Sequence, residues 1–193
     1  MKETLLVWAA GLIILFLILQ IIRGFLFSRR KWKKLSDSIE PELVKYVERA
    51  KNHSDARKIL KEIDAAAIDK TAVDRARYYS TAGVITLTVL KRPDVAVRYY
   101  LRALRSDPLC ILAFDRLAEI LMAQKKYHRF ERTCWTILSR LDDDDQGGEM
   151  WTKCWSGLAT VFANSKRLTE RADAIRKMLA SFESESVEGF EDE

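Results

Sequence analysis

The residues able to do covalent or metal chemistry are few in this chain, and their spacing decides what they can be used for. There are three cysteines, Cys110, Cys134 and Cys154, and two histidines, His53 and His128. A nucleophilic thiol needs a base within hydrogen-bond reach. His128 precedes Cys134 by six residues, which is neither the i+3/i+4 nor the i+7 neighbour on one helix face. No Cys-x-x-Cys, Cys-x-x-His or His-x-x-x-His spacing occurs, so zinc has no ligand set. The cysteines are odd in number and far apart among apolar neighbours, the pattern of reduced core thiols rather than a disulfide framework. The acidic run Asp142 to Asp145, followed by Gly147 and Gly148, suggests a calcium loop. Counted from Asp142, however, the twelfth position is Lys153, where such a loop places a bidentate glutamate. No glycine-rich phosphate cradle occurs. The expectation is a protein without catalytic residues, metal or cofactor: not an enzyme.

What the chain does carry is an unusual distribution of charge. Its 193 residues include 33 Lys and Arg against 28 Asp and Glu, a net charge of +5. The excess is concentrated at Arg23, Arg29, Arg30, Lys31, Lys33 and Lys34, whereas residues 182–193, FESESVEGFEDE, hold six acids and no base. The basic character therefore reports a local cluster at Arg29, Arg30, Lys31, Lys33 and Lys34 and not a nucleic-acid face. Seven glycines and three prolines are too few for a hairpin-rich β protein, and the Ala, Leu, Arg, Lys and Glu beyond residue 40 are helix formers.

That basic cluster closes the stretch LLVWAAGLIILFLILQIIRGFLFSRRKWKK. From Leu5 to Ile22 only Gln20 is strongly polar. About 20 apolar residues rising 1.5 Å each span roughly 30 Å, the thickness of a bilayer core. A secretory signal would have a shorter apolar region and a small-x-small cleavage site, and neither is present. The reading is an uncleaved anchor at 1–27 followed by a basic juxtamembrane linker at 28–40. Because positive flanks stay in the cytosol, the N-terminus is expected outside and the bulk of the chain cytosolic. The cluster also suits anionic lipid. The long Leu/Ile/Phe anchor favours a bacterial inner membrane, with the mitochondrial outer membrane as the alternative.

Beyond the linker, helical signals begin at EPELVKYVERAKN, with Pro41 suited to a first turn. A break is expected at His53–Asp55, with Ser54 capping DARKILKEIDAAAI. A third helix begins near Lys70, and a fourth follows Pro93. In a unit starting at Arg77, Ala96, Tyr100, Ala103 and Pro108 occupy positions 20, 24, 27 and 32. In the next, from Ile111, Phe114, Leu117, Ala118, Leu121 and Tyr127 fall at positions 4, 7, 8, 11 and 17. From Thr152, Trp155, Leu158, Ala159, Phe162 and Leu168 recover the same positions. These residues resemble the tetratricopeptide repeat, a 34-residue helix pair.

The match has defects: Gly83 falls one residue before the expected small position, and Phe130, Cys134 and Ile137 stand where Ala, an aromatic and Ala are usual. The second crossing is therefore expected to be wider or skewed. The predicted fold is all-α: a transmembrane helix followed by an α-solenoid of degenerate repeats near 77–110, 111–144 and 152–181, within a helical domain at 41–181 that leads into an acidic tail at 182–193. The helix pair at 41–67 is a further repeat or a cap.

The resemblance implies a protein-binding groove formed by the first helix of each unit. Its residues here are Tyr78, Thr81 and Ile85, then Leu112, Asp115, Glu119 and Met122. The carboxylate clamp of chaperone-binding members is not implied, because its asparagine position holds Ala82, Arg116 and Gly157. The expected occupant is an amphipathic or basic helix of a protein partner, docked through apolar anchors. The functional expectation is a scaffold or adaptor tethered to the cytoplasmic membrane surface. Its alternative is an obligate accessory subunit of a larger membrane complex, similar in layout to bacterial inner-membrane assembly factors or mitochondrial import receptors. In that case Tyr99, Trp135 or Trp151 would be buried by a partner.

Overall fold

The computed structural model describes residues 39, 41–142, 148–164 and 168–188. Among these the secondary structure is entirely helical: α1 (Pro41–Arg49), α2 (His53–Ala66), α3 (Ala72–Thr88), α4 (Pro93–Ser106), α5 (Ile111–Ala123), α6 (Tyr127–Leu138), α7 (Glu149–Ala163) and α8 (Thr169–Glu188). The chain divides into two compact units, Met1–Val44 and Lys45–Glu193. In the first, the described residues are Ile39 and the opening turn of α1. The expected anchor at 1–27, the linker and its basic cluster at Arg29, Arg30, Lys31, Lys33 and Lys34 lie outside the described residues. Among the described residues no helix is long and apolar enough to cross a membrane.

Within the second unit the helix ends follow from local chemistry. The expected cap at Ser54 is corrected to Asn52, whose Oδ1 accepts from the Ser54 and Asp55 N–H groups at 2.9 and 3.0 Å. One carboxamide thus satisfies two of the orphan donors that every helix start presents, and α2 begins at His53. Thr71 does the same for α3 through the Asp74 N–H. Pro93 opens α4 from its first turn, where a missing N–H costs nothing. The last helix runs beyond the boundary expected at 181, through Ser and Glu that tolerate a helix, and stops before Gly189.

Consecutive helices supply the main packing contacts, and α3 also touches α5. Such near-neighbour packing is compatible with an α-solenoid, in which each element buries its apolar face on the next. A continuous core runs from Ala76 and Tyr79 through Val97, Tyr100, Phe114, Leu117, Phe130, Met150 and Leu158 to Ala172 and Ile175. A smaller one joins α2 and α3 around Ala56, Ile59, Ile63, Ala82 and Ile85.

Two glycines permit the tightest crossings. A Cβ at Gly83 would lie 2.5 Å from Tyr100 Cε1, so the α3–α4 pair closes only because that position carries no side chain. Gly83 is therefore the small residue of this crossing, one position before the place expected from the repeat resemblance. At Gly157 a Cβ would lie 2.8 Å from the Phe130 ring. The large Phe130, out of pattern in its own unit, fits because the facing turn of α7 has a glycine. Phe130 also packs on Phe114 at 5.7 Å between centroids, so its bulk is shared between both neighbouring helices.

The turns after α3 and α5 share an unusual backbone. Lys91 and Lys125 both have φ of 55°, in the left-handed region that a side chain disfavours. Around Lys125 the Lys126 N–H donates to Leu121 O at 2.9 Å and the Lys125 N–H to Met122 O at 3.0 Å, the paired bonds of a Schellman C-cap. The two lysines stand 34 residues apart, the length of the expected unit.

Candidate interaction surface

The second expected row of groove residues lies along α5. This helix buries Ala113, Phe114, Leu117, Ile120 and Leu121, which leaves Leu112, Asp115, Glu119 and Met122 on the other side, half-buried except for the exposed Glu119. The row combines two apolar ends with two acids, and each acid already has a cation. Lys153 Nζ on α7 donates to Asp115 Oδ1 at 2.9 Å and lies 3.7 Å from Glu149. The hydrogen bond to Asp115 raises the Lys153 pKa above the usual lysine value. Arg116 Nη1 donates to Glu119 Oε2 at 2.8 Å. The surface is charge-balanced, so a basic helix docking there would have to displace Lys153 and Arg116. Leu112 and Met122 remain as apolar anchors.

The first row behaves differently. Thr81 is 1% exposed and Ile85 fully buried; Ile85 packs in the smaller core with Ala56, Ile59 and Ile63. Tyr78 is half-buried, 6.2 Å from the Tyr46 ring, with the Lys70 ammonium 5.8 Å from its centroid. Thr81 and Ile85 are thus not offered to a partner, because the preceding helices cover them. The signal was present in the sequence: α3 is apolar on both sides, GVITLTVL, as a helix with neighbours all round must be. Of the aromatics proposed for an obligate interface, Trp151 is 9% exposed against Trp135 at 43%, and Tyr99 is half-buried.

Several polar contacts that join the helices had no sequence signal. Asp64 accepts from Tyr99 Oη at 3.1 Å and from Arg102 Nη1 at 3.0 Å, while the Arg102 guanidinium stacks 4.5 Å from the Tyr79 centroid. This ties α2 to α4 and α3. Burial and the neighbouring Asp64 carboxylate push the Tyr99 pKa up to about 12. Arg75 donates to the carbonyls of Ala67, Ile68 and Lys70, and Arg140 to those of Leu104 and Arg105. Both guanidinium groups therefore satisfy carbonyls at or just beyond helix ends, where the dipole also favours a cation.

The residues first weighed for chemistry are placed apart. Cys134 and Cys154 are fully buried, and a hydrogen bond between their thiols, with burial second, raises the Cys134 pKa. Such thiols are poor nucleophiles. His128, whose side chain is fully exposed, lies on the opposite face of α6 from Cys134. Cys110 contacts the Ser80 hydroxyl at 3.3 Å, and burial raises its pKa as well. Among the described residues no group of His, Cys, Asp or Glu could hold a metal ion. Comparison with protein-family models, curated proteins and solved structures finds no match for this chain.

Proposed function

We propose that the chain is a membrane-tethered adaptor: an N-terminal anchor at 1–27 with a cytosolic stack of tetratricopeptide-like helix pairs that recruits a protein partner through α5. The observation that carries the repeat reading is the recurrence of one turn: a left-handed lysine at 91 and again at 125, each joining the two helices of a pair in a chain whose helices pack consecutively. The α5 row supports the docking reading. Leu112 and Met122 flank a charge-neutral middle, suited to an amphipathic helix with two apolar anchors. Tethering raises the effective concentration of the partner at the surface, so a weak groove suffices. A bacterial inner membrane is the proposed location.

Two experiments test separate halves of this proposal. Deleting residues 1–28 should move the protein from the carbonate-resistant membrane fraction to the soluble one; retention on the membrane would remove the anchor reading. Leu112→Glu with Met122→Glu should abolish co-purification of the partner while the protein remains helical and folded, with some loss of melting temperature because half-buried Met122 packs on the core. If the doubly substituted protein keeps its partner, α5 is not the groove.

A further inference from the structure

We infer that the outward face of α6 is a second docking surface, built for an acidic protein segment that carries an aromatic or large aliphatic anchor. The helix buries Phe130, Thr133, Cys134 and Ile137. At 100° per residue the opposite stripe is His128, Arg132, Trp135 and Ser139, with Glu131 and Thr136 beside it. These six residues line one shallow depression. Of the large apolar side chains left exposed among the described residues, Ile68 and Leu109 lie in turns and Val73 in the first turn of α3; Trp135, 43% exposed, and Phe182, 40% exposed, stand within helices, and of these two Trp135 is the one set among exposed cations.

Trp135 is also held in place. Trp155 meets it edge-on at 5.4 Å and 88°, Trp151 backs Trp155 at 6.0 Å, and Phe182 of α8 backs Trp151 at 4.8 Å. An anchor already fixed by its neighbours loses little rotamer entropy on binding. A rigid aromatic ringed by donors has the anatomy of an interface hot spot.

Charge sets the kind of partner. Lys125, Lys126, Arg129 and Arg132 are exposed, and Glu131 of α6 lies 3.7 Å from His128 Nδ1. The four cations have no salt-bridge partner among the described residues, in contrast to α5, where both acids are paired. The first turn of α6 adds to this potential: Lys126 is its N-cap and makes no side-chain capping bond, so the start of the helix keeps the partial positive charge of its dipole without a side-chain acceptor. Cations and dipole together favour carboxylates at the N-terminal half of α6. A single large apolar side chain among Glu131, Thr136 and Ser139 is too little for insertion into a bilayer.

The test uses the full-length protein in detergent and two short fluorescein-labelled helical peptides of one Phe/Leu pattern, one with glutamates on its polar face and the other with lysines. The glutamate peptide should bind, more weakly as salt rises. Trp135→Ala should weaken it by about thirtyfold, the scale of a hot spot, and Arg132→Glu by about tenfold or more, while Leu112→Glu on α5 leaves it unchanged. Circular dichroism melts of Arg132→Glu should match the wild type, while Trp135→Ala, which gives up the edge contact with Trp155, should melt somewhat lower yet remain fully helical at the assay temperature. Equal binding of the lysine peptide, or full binding by Trp135→Ala, overturns the inference. So does the outcome in which phosphatidylserine vesicles, and not the glutamate peptide, compete at wild-type α6 and lose affinity with Arg132→Glu: that face would then serve a lipid surface.

Discussion

Replacing Gly83 by Ala tests the packing of the repeat core most sharply, because two effects of opposite sign meet at one atom. In a helix interior Ala is favoured over Gly by roughly 1 kcal/mol. Here the added Cβ would stand 2.5, 2.7 and 2.8 Å from Cε1, Cζ and Cδ1 of Tyr100. That ring is fully buried, so relief requires the α3–α4 pair to separate. Overpacking of this kind costs about 1–3 kcal/mol, and with the propensity gain set against it the net loss is on the order of 1 kcal/mol. Urea unfolding followed by far-ultraviolet circular dichroism measures it. The same Gly83→Ala change in a Tyr100→Leu background, where the ring is gone, should stabilise instead, and the change of sign is the signature of the contact. Stabilisation by Gly83→Ala in both backgrounds would refute the close crossing.

Other changes follow from single contacts. The Tyr100 hydroxyl is buried without a hydrogen-bond partner among the described residues, so Tyr100→Phe should raise stability by about 1 kcal/mol, read as an increase in melting temperature. Lys125→Gly should stabilise by about 1 kcal/mol, because φ of 55° strains a side chain and not a glycine; denaturant midpoints decide it. Asp115 holds the Lys153 pKa above its ordinary value, so the folded state keeps this proton more firmly than the unfolded chain does. The pair's contribution is then present below about pH 10.4 and is lost as pH rises through the elevated value. The stability difference between the wild type and Asp115→Asn should shrink over that range, as measured by melts at a series of pH values.

How much of this was legible in the sequence depended on whether a residue speaks for itself or through its neighbours. Helical content, the break before α4 at Pro93 and the apolar faces of α5 and α7 follow from periodicity and from proline's fixed geometry. The cap of α2 was misplaced because Asn52 and Ser54 are both good caps, and only the backbone shows which oxygen meets two N–H groups. Gly83 looked out of register and Phe130 out of type. Both make sense only with the facing ring of Tyr100 and the facing Gly157, which no linear pattern couples. Thr81 and Ile85 were placed in the groove by repeat position, yet the preceding helices cover them. The lysines at 91 and 125 gave no warning, since the residue expected for a left-handed turn is glycine.

The most direct test of the adaptor is a photo-crosslinking amino acid placed in turn at Leu112, Met122 and, as a buried control, Ile85 in the full-length protein in its native membrane. The account predicts the same single partner adduct from the first two positions and none from the third, and loss of the adduct when residues 1–28 are deleted. The same probe at exposed Ile68 and Leu109, if it gave adducts equal to those at Leu112 and Met122, would instead describe a subunit surrounded by its complex. Absence of any adduct at Leu112 and Met122 would contradict the claim that α5 is where a partner docks.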